Sequence, residues 1–378
     1  MLIAIFASRN TQRQYASKLS EHISSTGGRK PIVLWYKDLL KTTHLIKSIF
    51  VSKPNELKQV VAEVIAEKKN HPKYRKAHSI YWAFFKLIKS IESRLLYVSY
   101  SDQLARNNIE QLVIWNGLKF RQRIAVIAAK ALNIPCHYIE RGAFPETTTL
   151  DSKGINYLNS VPRDPEYYMT RGIKNSSVTL NCNKKKTEVL PDGYIFIPFQ
   201  VNIDSQITMF SPWLDNMFSL VDRLLEVERI LGDAMPNIVL KSHPACAQCY
   251  QDLFDRIREM SNKISVINNV DTSVLIRESK AVITINSSVG MEALLMRKKV
   301  IVLGKAFYNI KGITLSASSI EELAENIIRV NLWKPNEYLT SSFLDYLKDE
   351  YIVKGSWHNP DIEHFQSMTQ RLNLLMSA

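Results

Sequence analysis

The chain has 378 residues, 46% of them apolar and 22% charged, which is the make-up of a soluble globular protein with more chain than one ordinary core holds. No uncharged apolar run approaches the roughly 20 residues of a membrane-spanning helix, and four cysteines cannot frame a disulfide-stapled fold. The 49 basic residues exceed the 36 acidic ones, and a net charge of +13 calls for an anionic lipid, nucleic acid or phosphorylated substrate as partner.

The opening stretch MLIAIFASRNTQRQ has no basic region before its apolar run and no small-residue cleavage pattern. It reads as a first β-strand, LIAIFA, and not as a signal peptide, which places the chain in the cytoplasm. A helix over 11–24, the strand PIVLWY and a long basic helical region to about residue 108 come next. QLVIWN is a third strand, 121–132 a helix and PCHYIE a fourth strand. The second half repeats the scheme with YIFIPF, helix 213–231, NIVLKSHP, helix 248–261, ISVIN, a short helix over 272–278, AVITIN, helix 289–296, KVIVLG and helix 319–330. Such alternation specifies an α/β fold with mainly parallel sheets. Residues 175–192 are polar, carrying Lys184, Lys185 and Lys186 before Pro191-Asp192-Gly193, and mark an interdomain linker. The expected plan is GT-B-like, two Rossmann-like domains facing across a cleft. They span 1–185 and 186–350, and residues 351–378 form a tail packing back on the first domain.

Within 68–94, Lys68, Lys69, Lys73, Arg75, Lys76, Lys86, Lys89 and Arg94 face only Glu92, and Tyr74, Tyr81, Trp82, Phe84 and Phe85 interleave. One reading is an interfacial segment that settles on an anionic membrane. The other is a solvated helix face whose aromatics pack into the first domain's core. Nucleic acid is set aside, since no recognised binding signature accompanies the charge.

Chemistry-bearing residues gather where strands end, the edge at which open α/β sheets bind ligands. After YIFIPF, Pro198 stops the strand and Gln200, Asp204 and Gln206 follow. Asp204 is equally a site carboxylate and a helix cap. In AVITINSSVGME, the helix start with Asn286, Ser287, Ser288 and Gly290 is fitted to cradle a phosphate, with Glu292 one turn in to meet ribose hydroxyls. An ordinary Ser-capped helix is the rival. Lys241 and His243 close NIVLKSHP, where an imidazole titrating near neutrality would neutralise or protonate a leaving phosphate. In the first half, Asn116 and Gly117 close one strand, and Glu140 and Arg141 the next. Glu140 is a candidate general base, with an ion pair to Arg141 as the alternative, and Asp151, Gly154 and Asn156 follow in a polar loop. Paired carboxylates, Glu140 and Asp204, are the usual equipment for glycosyl chemistry. Cys246 and Cys249 form a lone CxxC without the second pair that a zinc site requires.

Taken in order, WNG, ERGAFP, DSKGIN, IPFQVNIDSQ, KSHP, TINSSVGMEAL and VLGKAFYNIKGIT resemble the capsule polysaccharide biosynthesis proteins, retaining β-Kdo transferases of bacterial capsule and O-antigen assembly. The resemblance implies a GT-B-like enzyme that moves Kdo from CMP-β-Kdo to a glycan or glycolipid with retention, by double displacement and without metal or other cofactor. It implies Asp204 as nucleophile, Glu140 as acid/base, and His243, Ser287 and Ser288 around the CMP phosphate. Lys241, Asn286, Glu292, Lys305 and Tyr308 fall in the same motifs. No motif of the family is found in the first hundred residues, the acceptor side, so the acceptor stays open. A single catalytic unit fits addition of one residue or work beside partner glycosyltransferases. Other nucleotide donors, CMP-sialic acid or a CDP-glycerol-like one, and a non-catalytic glycolipid-binding scaffold are the competing readings. The expected location is cytoplasmic, peripheral on the inner face of the cytoplasmic membrane.

Overall fold

The apolar runs become strands and the stretches between them helices. The computed structural model describes residues 2–39, 42–50, 54–74, 76–173, 179–180, 189–246 and 248–377. In chain order the strands are β1 (Ile3–Ala7), β2 (Ile32–Trp35), β3 (Gln111–Trp115), β4 (Cys136–Arg141), β5 (Thr147–Asp151), β6 (Ile195–Pro198), β7 (Ile238–Lys241), β8 (Ile264–Val266), β9 (Ala281–Thr284), β10 (Lys299–Val302), β11 (Leu315–Ser316) and β12 (Ile352–Lys354). They form two six-stranded sheets, ordered β12-β5-β4-β3-β1-β2 and β11-β10-β9-β6-β7-β8.

The second sheet is parallel throughout. In the first, β1 to β4 run parallel, β5 is antiparallel to β4, and β12 is antiparallel to β5. Each sheet reverses its direction of growth once. The chain adds β2 on one side of β1 and β3 on the other, and likewise β7 and β9 on either side of β6. Crevices at the carboxyl ends of β1/β3 and of β6/β9 are the ligand positions that such topology creates.

Parallel strands covered on both faces are apolar at every position. In β1, Ala4 and Phe6 enter one cluster with Leu112, Ile114 and Ile124, while Ile3 and Ile5 enter another with Tyr15, Val113 and Met368. The second unit's core gathers Ile195, Ile197, Leu224, Ile238, Leu240 and Ile283. Its helix Met217–Leu231 begins later than its apolar pattern suggests, because Asn216 caps it by accepting from Phe218 N and Ser219 N.

The chain divides into two compact units. One comprises Met1–Lys69, Lys73–Ser160 and Tyr351–Ala378; the other comprises Asn70–Pro72 and Val161–Glu350. The division thus falls after Ser160 and not at 185/186. The short helix Pro165–Arg171 explains the difference: Tyr168 stacks edge-on with Phe343, and its carbonyl accepts from Ser342 Oγ at 2.7 Å. The proposed linker, including Lys184 to Lys186, lies mostly outside the described residues. Residues 351–378 belong to the first unit, where β12 pairs with β5 and the helix Ile362–Ser377 contributes Phe365, Met368 and Leu372 to the core.

The aromatics of the basic segment fall into two groups. Lys68 Nζ sits 4.3 Å from the ring centre of Tyr74 and 4.0 Å from that of Phe85, and Tyr81 stacks on both rings. These aromatics pack with their lysines, whereas Phe84, on the outer side of the helix Ser79–Arg106, is 62% exposed. Arg75 lies outside the described residues.

Candidate functional site

The second unit's crevice is organised by one amide pair. Gln200, just beyond β6, donates from Nε2 to Asn286 Oδ1 at 2.9 Å, and its Oε1 accepts from Asn286 N at 3.2 Å. Both residues are buried. Asn286 Nδ2 donates in turn to the carbonyls of Gln206 and Phe210, at 2.8 and 3.1 Å. The pair therefore ties the β6 loop to the β9 loop across the point where strand order reverses. Gln200 and Asn286, expected as donor contacts, spend their amides on this tie. Gln206 Nε2 reaches Asn286 O at 3.3 Å, while its buried Oε1 has no partner among the described residues.

Asp204 lies at the head of the helix Ser205–Phe210 and caps it, with Oδ1 accepting from Gln206 N at 2.9 Å. The cap reading holds, and it leaves chemistry open: the carboxylate is exposed, and Oδ2 accepts no hydrogen bond among the described residues. A cap that fixes one oxygen orients the other.

His243 follows β7. Its Nδ1 accepts from Ala245 N at 3.1 Å, so the neutral ring carries its proton on Nε2. Burial lowers its pKa, and the negative charge of Asp204 pulls the other way, which places the two groups within electrostatic reach. Lys241 points elsewhere. Its Nζ donates to the carbonyls of Asn268 and Val270 at 2.7 and 2.5 Å, and burial depresses its pKa. The donor-binding role expected of it gives way to a structural tie between β7 and the following loop.

Ser287 caps the helix Ser288–Leu295, its Oγ accepting from Val289 N at 3.2 Å, and Ser288 is exposed at the first position. Tyr308 is fully buried and donates to Ser287 O at 2.6 Å. A Cβ on Gly290 would lie 2.7 Å from Tyr308 Cζ, so this glycine makes room for the tyrosine and not for a phosphate. Tyr308 is thus a strut behind the helix start. Glu292 is half-buried one turn in, and Lys305 is exposed, with its backbone N–H held by Phe210 O at 2.8 Å.

In the first unit, Asn116 Nδ2 donates to Glu140 Oε2 at 2.8 Å, linking the ends of β3 and β4. Asn116 and Gly117 both take positive φ, 61° and 77°, and a Cβ on Gly117 would meet Tyr138 at 2.5 Å. Glu140 Oε1 accepts the backbone N–H of Arg141 at 3.1 Å, and the Arg141 residue is exposed. Asp151 is not a cleft residue. It is buried, with Oδ1 accepting from Lys153 N and Gly154 N and Oδ2 from Ser160 N and Oγ, so it folds the loop that Asn156 (φ 54°) turns.

The sequence reading missed a polar group at the first crevice. Gln122 Nε2 donates to Ser8 Oγ at 2.6 Å, and Gln12 Oε1 accepts from Ser8 N, Ser8 Oγ and Arg9 N. The signal was Ser8 directly after β1, with Gln12 a helical turn on. Among the described residues no three His, Cys, Asp or Glu side chains are grouped to hold a metal.

Two Rossmann-like units, each with polar residues at its switch crevice, define the class as α/β with nucleotide-type sheets. Residues 110–192 and 177–357 match the model of the family described as capsule polysaccharide biosynthesis protein, and the chain belongs to that family. Protein FixF of Sinorhizobium fredii (strain NBRC 101917 / NGR234) is 33% identical over 287 residues, covering 74% of this chain and 69% of its own. The capsule polysaccharide export protein KpsS of Escherichia coli is 32% identical over 133 residues, 33% of each chain. Among solved structures, the Thermosulfurimonas dismutans KpsC beta Kdo 2,7 transferase aligns with a TM-score of 0.40 at 20% identity, over 60% of this chain and 78% of that one.

Proposed function

We propose that the chain is a retaining glycosyltransferase of bacterial capsule or O-antigen assembly. It transfers Kdo from CMP-β-Kdo to a glycan or glycolipid hydroxyl, in the cytoplasm at the inner face of the membrane. Family membership supports the polysaccharide setting. The observation that carries the chemistry is the second unit's crevice, where an oriented, exposed Asp204 stands within electrostatic reach of a neutral His243.

In this reading Asp204 Oδ2 attacks the anomeric carbon of Kdo. The bond from that carbon to the CMP phosphate breaks, and its electron pair leaves with CMP. The His243 Nε2–H and backbone N–H groups at the Ser288–Leu295 helix start meet the departing charge. Glu140 then takes the proton of an acceptor hydroxyl, whose oxygen displaces Asp204 and restores the β configuration. Asn116, bonded to Glu140 Oε2, orients that base. No resident metal or other cofactor takes part.

Mass spectrometry of the chain incubated with CMP-Kdo tests the assignment. An added Kdo mass on the peptide holding Asp204, absent in Asp204→Asn, is the expected result. Labelling of a different residue, or full transfer by the variant, overturns it. Thermal shifts with CMP and UDP donors separate the other nucleotide readings, since a ligand at a hundred times its dissociation constant adds about 2.7 kcal/mol.

A further inference from the structure

Helix Ser79–Arg106 leaves part of one side uncovered. Ile80, Phe84, Leu87, Ile88 and Ile91 recur at helical spacing and are all exposed, Ile80 by 74% and Phe84 by 62%. They form an apolar stripe about three turns, or about 16 Å, long. A second apolar patch stands on the neighbouring helix Thr42–Phe50, where Leu45, Ile46 and Ile49 are exposed, Ile49 by 68%. This helix is pinned in place by polar bonds. His44, itself buried, lies between Ser99 Oγ at 2.9 Å and Asp102 Oδ2 at 3.2 Å, and Lys47 Nζ and Arg106 Nε also reach Asp102. Ser99 is fully buried, so the Ser-His-Asp line is a pin and not a nucleophile. Asp102 falls about three turns beyond Ile91 on the same side of its helix. The pin therefore seats the helix Thr42–Phe50 on the stripe's side of helix Ser79–Arg106.

The basic charge of the region that carries the stripe selects its occupant. Lys69, Lys73, Lys76 and Lys86 are exposed on this helical region, and its one acidic residue between 68 and 94, Glu92, is engaged by Lys89 at 2.6 Å. A second copy docking the same face by two-fold symmetry would bring these lysines together. An anionic bilayer would accept the lysines at its headgroups and the isoleucines, Phe84 and Leu87 at its acyl boundary. Among the described residues no helix is long and apolar enough to cross a membrane. We infer that the outer faces of these two helices form a membrane-surface docking site for anionic lipid. The inference deepens the membrane location proposed above, but does not use the donor assignment.

Co-sedimentation of the full chain tests it, with vesicles of phosphatidylcholine alone and with roughly one-third phosphatidylserine added. Phosphatidylserine makes the readout one of surface charge, and no sugar nucleotide is present, so failure here leaves the transferase reading standing and the reverse. The chain should bind the mixed vesicles, lose binding as salt rises, and ignore the neutral ones. Phe84→Ser with Leu87→Ser, or Lys76→Glu with Lys86→Glu, should each weaken binding about tenfold or more with circular dichroism unchanged. No binding to the mixed vesicles, or equal binding by the Phe84/Leu87 variant, overturns the proposal. So does a wild-type dimer that the Phe84/Leu87 variant converts to monomer, which would assign the face to a second copy.

Discussion

Replacing Gln200 by leucine separates a side chain that holds the crevice together from one that touches ligand. Leucine keeps much of the volume and removes both polar ends, leaving Asn286 N–H and Asn286 Oδ1 without the bonds of 3.2 and 2.9 Å that Gln200 supplies. Asn286 is 2% exposed, so water cannot replace them. At about 1–3 kcal/mol for each buried group left unmatched, the loss is about 2–6 kcal/mol, a large share of the roughly 5–15 kcal/mol that usually holds a domain together. In a unit of this size it lowers the melting temperature by roughly 5–20 °C. Urea unfolding followed by tryptophan fluorescence is the assay, because Trp213 and Trp333 report on the second unit's core. A Gln200→Leu variant with stability within about 1 kcal/mol of the parent, but weakened CMP binding, would refute the reasoning and return Gln200 to the donor-contact role expected from sequence.

Gly290→Ala should cost about 1–3 kcal/mol by overpacking against Tyr308, and calorimetry that shows the usual helix gain of alanine over glycine would contradict the strut. Asp204→Asn should abolish Kdo transfer while keeping the helix cap, whereas Asp204→Ala should lose about 1 kcal/mol more in urea unfolding. Burial lowers the pKa of His137, His243 and His364, so the unfolded chain binds protons at a higher pH than the folded one. Their contribution is complete above the unfolded imidazole value of about 6.5 and is lost as pH falls through the depressed folded values. Urea midpoints should drop from pH 7 toward pH 5, and His364→Gln should flatten that slope.

Apart from β11 and β12, which no apolar run announced, the strands that pair in parallel were legible because strands buried on both faces are largely apolar, as in β6 and β9. β5 was not. Its TTTLD carries hydroxyls, one of which, Thr148 Oγ1, donates to Gly355 O more than two hundred residues away. Asp151 was placed in a cleft-lining loop for the same reason, since the backbone N–H groups that enclose it come from a turn no local pattern announces. Asp204 was readable as cap or site carboxylate; the structure shows the cap, with the carboxylate left exposed. Lys241 misled because a lysine at a strand's carboxyl end looks the same in sequence whether it faces a ligand or carbonyls of its own chain.

β12 pairs antiparallel with the edge strand β5, although Val161–Glu350, nearly all of the second unit, lies between them in the chain. A growing polypeptide leaving the ribosome therefore holds residues 161–350 in full before the first sheet has its last strand. Until residues 352–354 emerge, β5 presents an unpaired edge of the kind that invites pairing with other chains. The second unit is in effect an insertion that can fold while its host waits, and a chain stopped before residue 351 would keep the second unit's sheet whole and leave the first sheet open.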